Sequence, residues 1–229
     1  YGLAQPQKAK PKPKPVPRAG ASPTGAAFWI WHNEGEPTRD APAATRYFRR
    51  VWEINRPTQI VVDEATLDIT ADNAFTVWIN GKPVGSGSNW TQVYHFDVKP
   101  YLVHGRNVLA VEARNEGGPA GLLVRLSYTP NGQTRLVLYS DGEWKSSTTV
   151  TPGWQNLDYD DSRWHPVRVL GAYGKTDPWR QVTWGASERF QVPEGFRVEE
   201  VVPPQPQASG IETVGLDPKL PFSLINVCF

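Results

Sequence analysis

Two short segments of the chain combine aromatic, amide and charged side chains. The first contains Asn89, Trp90, Gln92 and Tyr94, and the second contains Arg114, Asn115 and Glu116. An aromatic ring can cover the apolar C–H side of a pyranose, while amide, carboxylate and guanidinium groups bond its hydroxyls. The two segments are therefore predicted to be carbohydrate-binding. Trp78 is also predicted to be carbohydrate-binding, because strand alternation turns it towards solvent. In the alternative, Trp78 and Trp90 pack under a neighbouring loop or against a following domain.

The groups that could carry out catalysis do not form a reaction centre. Glycoside hydrolysis needs two carboxyl groups placed across one sugar bond, whereas Asp158, Asp160 and Asp161 lie too close along one turn. The histidines lack zinc-site spacing, and they are His32, His95, His104 and His165. No Gly-x-Ser-x-Gly elbow is present, and the segment Gly85–Ser88 is predicted to be a flexible loop. The chain is therefore predicted not to be an enzyme by itself.

Charge is unevenly distributed over the 229 residues, which carry 24 Lys and Arg against 23 Asp and Glu. No acidic residue precedes Glu34, and five basic residues lie in the segment 1–18, so the rest of the chain is mildly acidic. A mildly acidic folded part argues against nucleic-acid binding. No apolar run is long enough to span a membrane. The single cysteine, Cys228, excludes a disulfide framework and a cysteine metal site.

The N-terminal segment 1–26 is predicted to be a disordered Lys/Pro-rich linker, because Pro removes donors and like charges repel each other. Its first residues resemble the small-residue end of a secretory signal peptide, with a cut after Ala4. A fragment boundary is the alternative. The expected location is secreted, periplasmic or at the cell surface.

The segment 27–185 is predicted to be one all-β sandwich. Large apolar and polar residues alternate as in half-buried strands. The alternating segments are 47–54, 65–70, 75–79, 108–113, 122–128 and 136–139. Asn80-Gly81 and Asn131-Gly132 predict tight hairpin turns, because both positions tolerate a positive φ. No helical period with caps is present, which favours a sandwich or barrel.

Several tryptophans are expected to be in the core. They are Trp29, Trp31, Trp52, Trp144 and Trp164. Residues 158–164 are predicted to form a turn, capped by its Asp residues, that packs Trp164 back into the sandwich. Residues 186–229 are predicted to be a linker and the truncated start of a following domain, because their apolar strand-like ends lack partners.

A series of motifs in a fixed order carries a family resemblance. The motifs are Trp29–Trp31, Tyr47–Arg50, Ile69–Asn73, Val77–Lys82, Phe96–Val98, Gly105–Val111 and Asn115–Leu122, followed by Gly142–Trp144, Trp154, Asp160–Trp164, Tyr173–Gly174 and Pro178–Trp179. This order resembles the galactose-binding-like jelly rolls that are attached to family 2 glycoside hydrolases and α-L-rhamnosidases. The resemblance covers roughly residues 27–185 and implies a jelly-roll β-sandwich.

The resemblance also implies a metal ion, because many related sandwiches hold a structural calcium. Asp72 and Asn73, with backbone carbonyls, would supply its oxygen ligands. In the alternative, these two side chains only close the turn between two strands by bonding the backbone.

Residues 190–198 resemble the entry to a β-propeller in large secreted bacterial proteins that often carry a c-type haem domain. The sequence itself contains no Cys-x-x-Cys-His.

These observations predict a non-catalytic carbohydrate-binding-like accessory domain of a larger secreted protein. Its partners would be a polysaccharide or glycan and a downstream domain, and tethering would raise the local glycan concentration near a catalytic domain. One alternative is a structural or interaction module that packs on a following β-propeller of a sugar-dehydrogenase-like or haem-containing protein. Another is the N-terminal part of a glycoside hydrolase.

Overall fold

The computed structural model describes residues 26–54, 62–130 and 135–184. The chain divides into two compact units, 1–182 and 183–229, and the second is described only at residues 183 and 184. The predicted linker before residue 26, the Asn131-Gly132 hairpin and the extension from residue 186 lie outside the described residues and stay predictions.

The described residues form β-strands and one short 3₁₀ helix, Lys99–Tyr101. The strands are β1 (Phe28–Trp31), β2 (Thr45–Ile54), β3 (Val62–Asp72), β4 (Ala74–Ile79), β5 (Lys82–Gly87), β6 (Tyr94–Asp97), β7 (Gly105–Arg114), β8 (Gly121–Pro130), β9 (Leu136–Tyr139), β10 (Lys145–Ser147), β11 (His165–Pro166) and β12 (Arg168–Ala172). No helix in this part of the chain is long and apolar enough to cross a membrane.

The strands form two antiparallel sheets. The first has the order β12-β1-β8-β3-β6, with β9 also paired to β8, and the second has the order β11-β10-β2-β7-β4-β5. Apolar side chains from both sheets share one buried core, which includes Leu67 and Leu126 from the first sheet and Val77 and Val111 from the second. The two sheets therefore pack face to face, and the predicted all-β jelly-roll sandwich is confirmed.

The alternation of side chains explains which residues enter this core. Phe75, Val77 and Ile79 of β4 are buried, while Thr76 and Trp78 between them point to the other side and are only half-buried. Full burial of one such apolar side chain contributes about 1.5–3 kcal/mol. A register slip of one residue would expose the whole set, so the pattern fixes the pairing.

The Asn80-Gly81 turn joins β4 to β5 as predicted. Both residues have positive φ, 52° and 78°, which is the backbone that a two-residue hairpin of this twist requires.

Residues 85–87 belong to strand β5, so for them the prediction of a flexible loop was wrong. Only residue 88 of the predicted loop lies outside the strand. A Cβ atom on Gly85 would collide with the ring of Phe96, and one on Gly87 would approach the rings of Phe75 and Tyr94 to 2.5 Å. The glycines are there because aromatic rings pack directly on the strand backbone.

The outer face of the second sheet is covered by aromatic side chains. This aromatic cover consists of Tyr47, Trp78, Trp154, Tyr159 and Trp164. The rings contact one another at centroid distances of 5.2 to 6.1 Å. The tryptophans that were predicted to be core are all buried, but Trp164 packs in this cover outside the sandwich rather than between the sheets.

Candidate functional site

Most of the predicted site residues meet at one end of the sandwich. Asp72 ends β3 in the first sheet and Ala74 begins β4 in the second, so the turn at residues 72–73 links the two sheets at this end. Arg114 at the end of β7 pairs with both Ala74 and Thr45. We call residues 43–45, 72–73 and 114–118 the rim.

Asn73 connects two parts of the rim. Its backbone N–H donates to the carbonyl of Arg114 at 2.8 Å, and its side-chain Oδ1 accepts the backbone N–H of Glu116 at 2.7 Å. The turn-closing role that the sequence suggested for Asn73 is therefore present, and the turn reaches across to the second predicted segment.

Asn115 lies below the rim surface with its side chain only partly satisfied. The residue is 2% exposed, and its Nδ2 donates to the carbonyls of Ala41 at 3.0 Å and Pro42 at 3.1 Å. Its Oδ1 is buried and has no hydrogen-bond partner among the described residues. An unpaired buried acceptor costs about 1–3 kcal/mol, so a ligand that supplied a partner would recover that cost.

Asp72 is a buried carboxylate with one indole partner. It is 5% exposed, and its Oδ2 accepts the Nε1–H of Trp179 at 2.9 Å. Burial raises the pKa of Asp72, and the Trp179 hydrogen bond opposes that rise. Trp179 stacks on Trp29 at 4.5 Å and leaves no room for a Cβ on Gly121. Nothing in the local sequence around Asp72 pointed to Trp179, because the two residues are 107 positions apart.

An open cavity of about 400 Å³ lies at the rim. It is lined by Ala43, Ala44, Thr45, Arg114, Asn115 and Glu116. Arg114 and Glu116 form an ion pair at 2.7 Å whose side chains are 64% and 57% exposed. An exposed pair of this kind adds little to stability, so its charged groups can exchange this contact for a ligand.

The segment 88–94 starts at the same end, because Gly87 pairs with Phe75. Asn89 and Tyr94 shape this loop. The Asn89 Oδ1 accepts from the backbone N–H and the hydroxyl of Thr91, and the Tyr94 hydroxyl oxygen accepts the backbone N–H groups of residues 88 and 89. The side chains of these two predicted ligand residues therefore form hydrogen bonds that hold the loop in shape.

Unlike the side chains of Asn89 and Tyr94, those of Trp90 and Gln92 form no hydrogen bonds within the described residues. The carbonyl of Trp90 accepts the hydroxyl of Thr70 at 3.2 Å, which holds the loop backbone on β3. The Trp90 ring is half-buried, the Gln92 side chain is exposed, and neither side chain has a hydrogen bond or ring contact within the described residues. Both side chains are therefore available to a ligand.

Trp78 does not lie open to solvent as the alternation suggested. Its ring meets the ring of Trp154 edge-to-face at 5.4 Å and is half-buried in the aromatic cover. The structure thus separates Trp78 from the rim, and the alternative of packing under a neighbouring segment describes its position.

The rim residues have the donor chemistry that calcium prefers. Asp72 offers a carboxylate, and Asn115 offers an amide oxygen that lacks a partner. Calcium takes six to eight oxygen ligands from carboxylates, amides, backbone carbonyls and water. The described ranges contain no group of three or more His, Cys, Asp and Glu residues that could hold a metal. A calcium ion at the rim would therefore need amide and backbone oxygens in addition to the Asp72 carboxylate, and it stays a prediction.

Known proteins similar to this chain fall into two groups. No family model matches the sequence. An α-L-rhamnosidase from Streptomyces avermitilis is 38% identical over 179 residues, which is 74% of this chain and 17% of that protein. The crystal structure of the Streptomyces avermitilis α-L-rhamnosidase complexed with L-rhamnose matches with a TM-score of 0.62 and 37% identity, over 68% of this chain and 15% of that one.

A lectin from Pleurotus ostreatus in complex with GalNAc also matches. Its TM-score is 0.61 and its identity is 32%, over 68% of this chain and 45% of the lectin chain. The chain therefore spans less than a fifth of the rhamnosidase and less than half of the lectin.

Proposed function

Because this chain carries a galactose-binding-like jelly roll that is homologous to a segment of an α-L-rhamnosidase, we propose that it is a non-catalytic carbohydrate-binding accessory domain. In this proposal it holds a glycan at the rim, near a catalytic domain of a larger secreted protein. Binding then raises the local concentration of substrate without adding a chemical step.

The observation that carries the proposal is the buried Asn115 oxygen, which has no hydrogen-bond partner among the described residues, in a side chain that lines an open cavity. The exposed Arg114 and Glu116 pair lines the same cavity, and the rim also contains the buried carboxylate of Asp72. Trp90 adds a ring without an internal partner at the same end. An aromatic ring with a few convergent polar groups is the composition that a pyranose requires.

Calcium fits this proposal as a second ligand of the rim. Asp72, Asn73 and Asn115 would hold it, and the ion when bound would supply a positive charge that attracts sugar hydroxyl oxygens. Other rim and loop side chains would select which sugar binds. Arg114 and Glu116 bond hydroxyls, and Trp90 covers an apolar ring face.

The sugars bound by the similar proteins are the first ligands to test. One solved relative is complexed with L-rhamnose and another with GalNAc. Isothermal titration of the folded chain with each sugar, in calcium and again in EDTA, measures the affinity. We expect binding of at least one of the two sugars and weaker binding in EDTA.

Two pairs of substitutions locate the site. Arg114→Ala should weaken sugar binding, whereas Arg106→Ala should not, because the two arginines are exposed residues at opposite ends of the same strand β7. Trp90→Ala should weaken binding and Trp78→Phe should leave it unchanged. Absence of binding to both sugars and to a broad glycan array, with a folded sample, would reject the proposal.

A structural module remains the second candidate function. The aromatic cover favours it, because Trp78 is used to pack the protein on itself rather than to face solvent. In that case the domain would support a following domain and bind no sugar. The homology to an α-L-rhamnosidase segment favours a glycoside hydrolase over a haem protein as the larger protein.

A further inference from the structure

A second recess lies beside strands β10 and β11 and shares no lining residue with the rim cavity. It consists of two adjoining cavities of about 570 and 360 Å³, and His32 and His165 line both. The larger cavity is also lined by Ser147, Thr148, Thr149, Val150, Thr151, Tyr159, Asp160, Arg163 and Trp164. We call this recess the side cleft.

The walls of the side cleft are held in place from below by Arg49. Its guanidinium is 1% exposed and pairs with the Asp161 carboxylate at 3.1 Å. It also donates to the carbonyls of Asn156, at 3.0 Å, and of Trp154. Lys145 holds the other Asp161 oxygen at 2.6 Å. The segment that carries the cleft residues is therefore ordered by internal contacts, and a ligand would not need to order it.

Two polar side chains that line the cleft, Arg163 and Thr148, have no hydrogen bond within the described residues. Arg163 is exposed and makes no hydrogen bond or short ion pair within the described residues. Thr148 is exposed and has none either. Asp160 keeps its carboxylate ionised, because the Ser162 backbone N–H donates to it and lowers its pKa. Tyr159 contributes a half-buried ring whose hydroxyl contacts Thr151 at 3.4 Å.

These groups match a ring that carries both hydroxyls and a negative charge. Asp160 and the threonine hydroxyls can bond sugar hydroxyls, and the half-buried ring of Tyr159 can pack against the apolar side of a sugar ring. The Arg163 guanidinium attracts the Asp160 carboxylate but forms no hydrogen bond within the described residues, so its N–H groups are suited to bidentate binding of a ligand carboxylate. The imidazole of His165, which lines the same cavity, can add an N–H donor.

We propose that the side cleft is a second saccharide site and that it binds a uronic acid unit, with Arg163 on the carboxylate. The site is separate from the rim and does not depend on the function proposed there. A domain with both sites would hold one branched or acidic glycan at two points, and its avidity would exceed that of either site alone.

The test uses the full chain with two matched probes. Isothermal titration with a galacturonic acid trimer and with a neutral galactose trimer compares the same ring with and without the carboxylate. We expect the acidic trimer to bind more tightly, with affinity unchanged in EDTA. Arg163→Ala should weaken its binding by about tenfold or more, since a charged hydrogen bond is lost.

Control substitutions separate the side cleft from the rim. Arg163→Lys should retain part of the affinity, because the charge remains while the bidentate geometry is lost. Arg106→Ala and Asn115→Ala should leave the affinity for the acidic trimer unchanged. Loss of that affinity with Asn115→Ala or EDTA would assign the acidic trimer to the rim and overturn the proposal. Equal binding of both trimers, binding unaffected by Arg163→Ala, or no binding of the acidic trimer would overturn it as well.

Discussion

The two ends of the sandwich both contain buried asparagines, but only one end satisfies them. We call the end of the sandwich opposite the rim the closed end. There, Asn107 is fully buried and bonds the backbone of residues 103 and 105. It also accepts a hydrogen bond from Asn80, whose remaining groups bond Tyr101 and Val108. At the rim, Asn115 is 2% exposed and its oxygen has no partner within the described residues.

The difference shows how one residue type serves two purposes. A buried amide whose donors and acceptors are all used fixes the chain, as the Asn80 and Asn107 pair fixes the β4–β5 turn against β7. A buried amide with an unused acceptor next to a cavity is costly unless a ligand completes it. The closed end is therefore structural, and the rim is the end at which a ligand is expected.

The largest expected effect is at the closed end. Asn107→Ala removes four hydrogen bonds of a fully buried amide, two of them to the backbone of Val103, so the free energy of unfolding should fall by about 2–4 kcal/mol. Urea unfolding measures this. Asn89→Ala, an exposed asparagine, is the control and should cost about 1 kcal/mol or less. A loss below about 1 kcal/mol for Asn107→Ala would show that the Asn107 hydrogen bonds do not stabilise the closed end.

A smaller effect is expected below the rim. Gly121→Ala places a Cβ 2.8 Å from Trp29 and 2.9 Å from Trp179, so Trp179 must move away from Asp72. We expect a loss of about 1–3 kcal/mol by thermal or urea unfolding. Gly142→Ala is the matched control, because its Cβ would lie 3.8 Å from Val169 and needs no rearrangement. Equal stability of the two variants would show that Trp179 does not pack on Gly121.

Asn115→Ala tests whether the buried asparagine at the rim contributes less to stability than Asn107. The variant loses two side-chain hydrogen bonds to the backbone of residues 41 and 42 but also removes the unpaired oxygen. The stability loss in urea should therefore be about 1 kcal/mol, well below that of Asn107→Ala. Sugar binding, measured by titration, should be lost in the same sample. A stability loss as large as that of Asn107→Ala would make Asn115 a structural residue of the same kind.

The smallest expected effect on stability comes from the buried side chain of His32. It is 9% exposed and its Nδ1 contacts the Ser146 hydroxyl at 2.9 Å. Burial lowers its pKa from 6.5, as do Arg46 and His165, while Glu34 acts in the opposite direction. The unfolded chain therefore binds this proton more readily than the folded chain, and the stability from His32 is lost as the pH falls below about 6.5.

The measurement for His32 is the free energy of unfolding in urea at several pH values. Between about pH 7.5 and pH 5.5 the unmodified chain should lose more stability than His32→Gln, which cannot titrate. The same pH dependence in both proteins would show that His32 is not the group responsible.

The sequence predicts the parts of the fold that depend on neighbouring residues. The alternation in β4 and the Asn80-Gly81 turn are local, and both are present in the structure. The ordered motifs placed the jelly roll correctly. For the candidate site, the sequence identified the segments 72–73, 89–94 and 114–116, and the structure places all three at one end.

What the sequence did not show depends on distant parts of the chain. Trp78 is covered by Trp154, and Asp72 is bonded by Trp179, which no local pattern indicates. Gly85 looked flexible because glycine is permissive, but the ring of Phe96 from β6 requires it. The sequence did not show that the Asn115 amide is buried, because the carbonyls that it bonds belong to the distant residues 41 and 42.

Chemical-shift mapping of the isotope-labelled chain tests the contrast between the two ends most directly. L-Rhamnose and GalNAc would be titrated in calcium while backbone and side-chain amide signals are followed. We expect shifts for the Asn73 and Asn115 amides, the Glu116 backbone and the Trp90 indole, and none for Asn80 and Asn107. Shifts centred on Asn80 and Asn107, or no shifts with either sugar, would contradict a sugar site at the rim.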